Sequence, residues 1–276
     1  MTQEIVYEGG RVTLQRRGDG IAVMRLSNPP QGFMDDASEA ALEAALDAID
    51  ADGSLQVVVI TGAQPGVFVR HFDVGVLEQR ARALVARGKR FDVARPVPEA
   101  PIHRVTRRIE ASDRIFIAAI NGFAMGGGFE LALGCDLRLA EDGDYRIGLP
   151  ETNIGLLPGG GGTQRLTRLV GPGRALEWIL LGRTFAPREA AELGLVNACH
   201  PGPVLEHGLQ MAQALARKHP LALAHVKRLI RGGAGAVPDK CYADERTLFC
   251  DLFTTERTIG LMADFNASGR SIAETP

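Results

Sequence analysis

The residue that most needs a chemical explanation is Glu130, an acid inside an otherwise apolar segment. The segment reads IFIAAINGFAMGGGFELAL from Ile115 to Leu133, and its strongly polar side chains are Asn121 and Glu130. The run Ile115–Ile120 predicts a strand buried on both faces. Phe129–Leu133 predicts a helix that is apolar on every side and therefore lies in the core. A carboxylate in such a helix is costly unless it is hydrogen-bonded, paired or protonated.

Three consecutive glycines, Gly126, Gly127 and Gly128, precede this helix. Glycines let a ligand approach the backbone closely, because no side chain stands in the way. The first N–H groups of a helix lack internal partners, and the helix dipole there favours negative charge. These features suit an oxyanion hole. The alternative is close packing of the helix start against a strand, with Glu130 as an acid that the dipole favours.

A second acid and a second glycine run follow along the chain. Glu151 stands after Pro150 in a turn, and Pro158 to Gly162 opens a helix that begins near Thr163. Proline pushes the residue before it out of helical geometry, which breaks the pattern at this point. By its own sequence context, Glu151 is typical of a surface acid.

The motifs of several other chemistries are absent from the sequence. There is no GxxxxGK[ST], GxGxxG or GxSxG, and the six histidines form no HxxxH or HExxH pair. No metal site is therefore predicted. Paired acids also suit glycoside hydrolysis, but the low aromatic content of 5% and the glycine-framed helix argue against it.

Two long segments resemble the crotonase (enoyl-CoA hydratase/isomerase) superfamily. They are AAINGFAMGGGFELALGCDLRLA and LPETNIGLLPGGGGTQRLTRLVG, supported by VVVITG at Val57–Gly62 and LGRTFAPREAAELGLVN at Leu181–Asn197. The resemblance implies an α/β fold with a spiral of ββα units over residues 1–200, which holds the active site. It also implies a C-terminal helical region, residues 201–276, that forms a homotrimer or a dimer of trimers.

The resemblance also implies a chemistry. Crotonase-like enzymes bind an acyl thioester of coenzyme A and stabilise an enolate with two backbone N–H groups, which match Phe72 and Gly127. The two glutamates that hold a water in the hydratases match Glu130 and Glu151. Two carboxyls in different environments can hold opposite protonation states, as water addition requires. The prediction is an enoyl-CoA hydratase-like lyase without a bound cofactor, in which coenzyme A enters as part of the substrate.

The residues predicted to bind substrate are Gly32, Arg70, His71, Asp73 and Gly126. At the first oxyanion position the family usually carries a Gly-Ala-Asp run, where this chain has His71, Phe72 and Asp73. This departure favours an unusual substrate.

Three other reactions of the same enolate type therefore stay open: double-bond isomerisation, thioester hydrolysis and C–C hydrolysis of a β-diketone. A non-catalytic binding protein on the same fold is a further alternative.

Hydrophobic patterning predicts the elements that position these residues. The predicted strands are Val12–Gln15, Ile21–Leu26, Leu55–Thr61, Ile115–Ile120, Asp136–Ala140 and Tyr145–Ile147. The main predicted helices are Ala40–Ile49, Val74–Arg90, Ile102–Ala111, Val204–Lys218, Leu221–Arg231, Lys240–Phe253 and Glu256–Phe265. Asp36 with Glu39 three residues later predicts a capping box before the first helix. The change from mixed α/β to helical patterning places the regional boundary near Pro201.

The composition of the chain limits its partners and its location. The formal net charge of −2 over 276 residues gives no electrostatic case for nucleic acid or an anionic membrane. No apolar run reaches the length of a membrane span, and the N-terminus does not resemble a signal peptide. The four cysteines are far apart and form no CxxC, which predicts reduced thiols in a cytoplasmic protein.

Overall fold

The computed structural model describes residues 4–218, 220–233, 246–247, 249–251 and 253–271. The strands within these residues are β1 (Glu4–Glu8), β2 (Val12–Gly18), β3 (Ile21–Leu26), β4 (Val57–Gly62), β5 (Gly66–Val69), β6 (Ile115–Ile120), β7 (Gly122–Met125), β8 (Leu137–Glu141), β9 (Ile147–Gly148), β10 (Thr184–Phe185) and β11 (Ala198–His200). The helices are α1 (Asp36–Ala51), α2 (Val74–Ala86), α3 (Pro101–Ala111), α4 (Gly127–Gly134), α5 (Gly162–Val170), α6 (Pro172–Leu180), α7 (Pro187–Glu192), α8 (Val204–Ala216), α9 (Pro220–Gly233) and α10 (Glu256–Ser268). A 3₁₀ turn covers Glu151–Ile154.

The larger sheet has seven strands in the order β1-β2-β3-β4-β6-β8-β11. The first three strands pair antiparallel, and the strands from β3 to β11 pair parallel. Every residue of β6 is buried. Parallel strands that are covered on both faces consist of continuous apolar residues, and this pattern is what made β4 and β6 predictable.

The two faces of this sheet pack against different helices. Ile60 and Phe116 point to one face and join the core that α1 and α3 complete. Val59 and Ile117 point to the other face, where they share a cluster with Ala212 of α8. Successive side chains of a strand alternate between faces, so one apolar run supplies both layers.

A second, four-stranded sheet places the candidate site. Its order is β10-β9-β7-β5, and β5, β7 and β9 run parallel. Parallel strands end at the same edge of a sheet. The chain leaves β5 toward Phe72, β7 toward Gly127 and Glu130, and β9 toward Glu151. The residues predicted to do chemistry therefore follow three adjacent strand ends.

The short strands of this second sheet are the elements that sequence patterning misses. β5 lies inside a segment that patterning assigns to a loop, and β7 begins at Gly122, within the Asn121–Gly122 break that indicates a turn. Segments of two to four residues are too short to show a hydrophobic period. The predicted strand Tyr145–Ile147 is observed as Ile147–Gly148.

The predicted capping box at the start of α1 is wrong. The N-cap is Asp35, whose side chain accepts a hydrogen bond from the backbone N–H of Ser38 at 2.7 Å. Asp36 is the first helical residue, and Glu39 is buried with 4% of its surface exposed. Glu39 is the fourth residue after this N-cap and not the third, so it does not complete a capping box, and its burial requires another explanation.

After β11, the elements within the described residues are helices, and the regional boundary near Pro201 stays a prediction. The predicted helix Lys240–Phe253 lies partly outside the described residues, and its described residues are helical. Cys241 is also outside them, whereas Cys135, Cys199 and Cys250 are free thiols. No helix within the described ranges is long and apolar enough to cross a membrane.

Candidate active site

Glu130 is held by the second glycine run. It lies in the first turn of α4 with 3% of its surface exposed. Its Oε1 atom accepts hydrogen bonds from the backbone N–H groups of Gly160 at 2.7 Å and Gly162 at 2.8 Å. A Cβ atom at Gly160 would lie 2.5 Å from Oε2 of Glu130, and one at Gly162 would lie 2.8 Å from Oε1. Glycine at both positions therefore permits the close approach of this loop to the carboxylate.

The protonation of Glu130 depends on opposing influences. Burial raises the pKa of its carboxyl, while the two backbone N–H groups and the charge of Arg165 act in the opposite direction. Arg165 also holds the loop, since its guanidinium donates to the carbonyl of Gly160 at 2.9 Å and pairs with Glu110 at 2.8 Å. Burial has the larger effect, so the pKa of Glu130 is raised overall. The carboxyl of Glu130 therefore stays protonated to a higher pH than that of an exposed glutamate.

Glu151 approaches the same region from the 3₁₀ turn after β9. It is buried, with 8% of its surface exposed. Its Oε1 atom lies 3.1 Å from the point that a Cβ of Gly126 would occupy, and Gly126 has a φ of +50°. Side chains other than glycine rarely adopt this conformation, so Gly126 both shapes the turn into α4 and leaves room for Glu151. Glu130 and Glu151 line one cavity.

The amide of Phe72 points away from Met34, with which Phe72 forms an isolated β-bridge. The carbonyl of His71 accepts from the N–H of Met34, and the N–H of Asp73 donates to the carbonyl of Met34, each at 2.8 Å. In a trans peptide the N–H and C=O groups point in opposite directions. The N–H of Phe72, which shares its peptide unit with the carbonyl of His71, therefore points away from Met34.

The amide of Gly127 lies beside that of Phe72. Gly127 is the first residue of α4, where a helical N–H has no acceptor within the helix. The nitrogen of Phe72 is 3.8 Å from the position of a Cβ on Gly127. No hydrogen bond found among the described residues uses either amide. Two adjacent N–H donors at a helix start suit an oxygen atom that gains negative charge.

These groups surround a cavity of about 270 Å³. Aliphatic and aromatic side chains supply much of its described lining. They come from α2, α3, the 3₁₀ turn with the segment just after it, and the helical residues before α10: Val74, Leu77, Leu84, Ile102, Ile154, Leu156, Phe249 and Phe253. Its ionisable lining groups are Glu39, His71, Arg80, Glu130, Glu151, Arg246 and Cys250. An apolar pocket with a few polar groups that point inward is typical of a small-molecule site.

The five predicted substrate-binding residues divide between this cavity and its surroundings. His71 and Gly126 line the cavity. Gly32, Arg70 and Asp73 do not line it. Gly32 borders a separate small cleft, and its carbonyl accepts from the N–H of Arg70 at 2.9 Å. Asp73 caps α2 by accepting from the N–H of Gly75 at 2.8 Å.

The side chain of His71 packs beside the oxyanion position. Its ring stacks on Phe33 with a centroid distance of 4.6 Å, and burial lowers the pKa of His71 to about 4. The imidazole is therefore neutral near neutral pH, and its Nδ1–H donates to the carbonyl of Phe72 at 2.8 Å. His71 thus fixes the peptide on the carboxyl side of Phe72.

Sequence reasoning misses three residues around the cavity: Glu39, His103 and Arg165. Nε2 of His103 lies 2.7 Å from the carbonyl oxygen of Gly159, so α3 contacts the glycine loop that holds Glu130. Helical periodicity could have revealed Glu39, because it continues the buried stripe of α1 that contains Leu42. His103 and Arg165 give no comparable signal, since their roles depend on loops that are distant in sequence.

In the described part of the chain, no group of three or more His, Cys, Asp or Glu side chains could hold a metal ion.

The family model for enoyl-CoA hydratase/isomerase matches residues 16–265.

This chain belongs to the enoyl-CoA hydratase/isomerase family.

Individual relatives within the family are similar over most of their length. The short-chain-enoyl-CoA hydratase of Clostridium acetobutylicum is 31% identical over 260 residues, which cover 94% of this chain and 95% of that protein. The 2,3-dehydroadipyl-CoA hydratase of Escherichia coli is 36% identical over 212 residues, which cover 76% of this chain and 78% of that protein.

Solved structures support the same assignment. An enoyl-CoA hydratase from Bacillus anthracis has a TM-score of 0.71 and 29% identity, and the match covers 96% of this chain and 100% of that one. The predicted α/β crotonase-like fold is therefore confirmed. The trimerisation of its C-terminal region stays a prediction.

Proposed function

We propose that this protein is an enoyl-CoA hydratase, a lyase that adds water across the conjugated double bond of an enoyl-CoA thioester. The observation that carries the proposal is the convergence of Glu130, Glu151 and the amides of Phe72 and Gly127 on one apolar cavity. The names of the hydratase relatives support the same reaction.

The proposed mechanism uses the four groups together. The thioester oxygen accepts hydrogen bonds from the amides of Phe72 and Gly127, which stabilise the enolate charge. One carboxylate of the Glu130–Glu151 pair removes a proton from water as its oxygen bonds to the β-carbon. The other carboxyl, protonated, delivers a proton to the α-carbon. The product contains one added water, and the pair ends with the same total number of protons. One oxyanion donor of this kind contributes about 3 kcal/mol to transition-state stabilisation.

The test is hydration of enoyl-CoA esters of increasing chain length, beginning with crotonyl-CoA. The wild-type protein should remove the absorbance of the conjugated thioester and give a product that gains the mass of one water. Glu130→Gln and Glu151→Gln, which preserve side-chain size, should each lower kcat by about a hundredfold or more. Wild-type inactivity across the series would contradict the proposal. A product of unchanged mass would indicate isomerisation, and two fragments would indicate hydrolysis.

We also propose that the protein assembles as a homotrimer or a dimer of trimers in the cytoplasm. Apolar side chains of α9 are exposed, including Leu229 at 73% and Ile230 at 65%. Several exposed apolar side chains on one element are often part of a protein–protein interface. Coenzyme A enters as part of the substrate, and no resident cofactor has a role in the proposed mechanism.

A further inference from the structure

A third buried glutamate shares the cavity with Glu130 and Glu151. Glu39 lies on the inward stripe of α1 with Leu42 and Leu46, and 4% of its surface is exposed. Helical spacing predicts an apolar residue at this position, because the rest of the stripe packs in the core. An acid in place of that apolar residue costs free energy unless its carboxyl has partners.

The backbone of α3 supplies one partner. Glu39 accepts a hydrogen bond from the N–H of Ile102 in the first turn of α3, whose own N-cap residue, Ala100, makes no side-chain cap. No ion pair to Glu39 is found within the described residues, and its acidic neighbour Glu43 pairs with Arg104. A carboxyl has two oxygens that can accept several hydrogen bonds, so this single N–H leaves hydrogen-bonding capacity at the cavity wall.

The position of Glu39 is connected to that of Glu130. Ile102, which bonds Glu39, precedes His103, which contacts the carbonyl of Gly159. The next residue, Gly160, donates its N–H to Glu130. The start of α3 and the glycine loop thus lie between the two acids, and both acids line the cavity. A substrate whose reacting carbons meet Glu130 can therefore extend within the same cavity to the space that Glu39 borders.

We propose that Glu39 is a specificity-determining residue that hydrogen-bonds a hydroxyl or N–H group on the acyl part of the substrate. This inference rests on the proposed function, since it names the class of enoyl thioester that the cavity favours. A plain alkyl chain would desolvate the carboxyl of Glu39 and offer it no partner, which disfavours binding. A hydroxyl or N–H group on the acyl chain would instead donate a hydrogen bond to the carboxyl of Glu39. Burial also raises the pKa of Glu39 to about 7, so the carboxyl can accept or donate near neutral pH.

Two arginines provide the main competing interpretation. Arg80 and Arg246 also line the cavity and could attract a carboxylate at the end of the acyl chain. Arg80, however, pairs with Asp36 and lies over the ring of Phe72 at 5.3 Å. An acidic chain end would also be repelled by ionised Glu39. We therefore favour a neutral donor, and the experiment includes the acidic chain as a separate arm.

The experiment compares kcat/KM for hex-2-enoyl-CoA, its analogue with a terminal hydroxyl, and its analogue with a terminal carboxylate. The wild-type protein should favour the hydroxyl ester over the plain ester by about tenfold or more. Glu39→Leu should abolish that ratio, whereas Glu39→Gln should retain part of it, because an amide can still bond both Ile102 and a hydroxyl. Glu43→Gln, the same change one helical turn later, is the matched control and should leave the ratio unchanged.

Several results would overturn the inference. They are a wild-type preference for the plain or the carboxylate ester, or a hydroxyl preference that persists in Glu39→Leu. If Glu39→Leu does not fold, the wild-type ratio of kcat/KM for the hydroxyl and plain esters still tests the inference. Calorimetric titration with the corresponding saturated esters measures the same preference without turnover. A protein that binds the hydroxyl ester more tightly but hydrates none of the esters would refute the proposed reaction and retain the role of Glu39.

Discussion

At the scale of single residues, the account depends on how the carboxyl of Glu130 is held. Gly160 and Gly162 donate to one oxygen of Glu130, and the space beside them has no room for a methyl group. Because the atom that would clash is the end of a glutamate side chain, a small substitution can be accommodated when the carboxyl moves. Catalysis is sensitive to such displacements even where folding is not.

Gly160→Ala tests this arrangement. The new methyl group would lie 2.5 Å from Oε2 of Glu130, so we expect a folded protein whose carboxyl is displaced. Turnover of enoyl-CoA should fall by about tenfold or more, equivalent to about 1.4 kcal/mol. The matched control is Gly173→Ala in α6, where a Cβ meets no atom within 4 Å. Equal activity of the two variants would contradict the proposed importance of the loop.

Glu39 gives a prediction about stability and pH. Burial raises its pKa in the folded state from an ordinary value of 4.5 to about 7. Protonation therefore favours the folded state, and this contribution is present below about pH 4.5 and is lost as the pH rises through about 7. Relative to Glu39→Gln, the wild type should lose roughly 3 kcal/mol of unfolding free energy between about pH 4.5 and about pH 8. Denaturant titrations of both proteins across this range measure the difference, and a constant difference would refute the assignment.

A comparison of Glu130 with Glu39 shows which buried acids can be predicted from the sequence. Glu130 stands in a continuous apolar segment, so its position alone indicates that it is buried. Glu39 stands near a helix start among alanines and acids, where the local pattern suggests a cap. Its burial follows from the packing of α1 against α3, a contact between segments that are distant in sequence.

At the scale of elements, the start of α4 contains glycines that differ in the space around them. A Cβ at Gly128 would lie 2.1 Å from the carbonyl oxygen of Val69, a backbone atom in β5. A Cβ at Gly127 would meet only ordinary contacts, 3.7 Å from the Cβ of Phe72 and 3.8 Å from the sulfur of Met34. Close packing therefore explains Gly128, whereas the surroundings of Gly127 suit the proposed oxyanion site.

Alanine substitutions separate the two positions. Gly128→Ala should destabilise the protein by about 2–3 kcal/mol, because backbone must move to relieve the overlap. Gly127→Ala should fold normally but lower turnover by about tenfold or more, since its methyl group stands beside the two amide donors. Thermal unfolding and kcat for both variants provide the measurement. Normal turnover in Gly127→Ala would argue against an oxygen bound at these amides.

The second sheet explains why this helix start and both acids meet. The strands β5, β7 and β9 are short, and their pairing does not follow from hydrophobic period. The large sheet was predictable because its central strands are long apolar runs. The family resemblance supplied the expectation that Phe72 joins the site, whereas the local sequence of that loop indicates only a turn.

At the scale of the whole molecule, the predicted trimer is proposed to use the exposed apolar side chains of α9. Leu229→Glu should weaken assembly, because a buried, unpaired carboxylate at an interface is costly. Light scattering should give three or six times the subunit mass of 29.5 kDa for the wild type and a smaller mass for the variant. Val85→Glu, which changes an exposed apolar residue on α2, is the control. A monomeric wild type would refute the assembly prediction without affecting the chemistry.

The most direct test of the central claim is a crystal structure with a β-ketoacyl-CoA, whose enolate resembles the proposed intermediate. The account predicts that its thioester oxygen lies about 3 Å from the amide nitrogens of both Phe72 and Gly127. The carboxyls of Glu130 and Glu151 should both face the α- and β-carbons. A thioester oxygen bound elsewhere, or either carboxyl turned away from those carbons, would contradict the account.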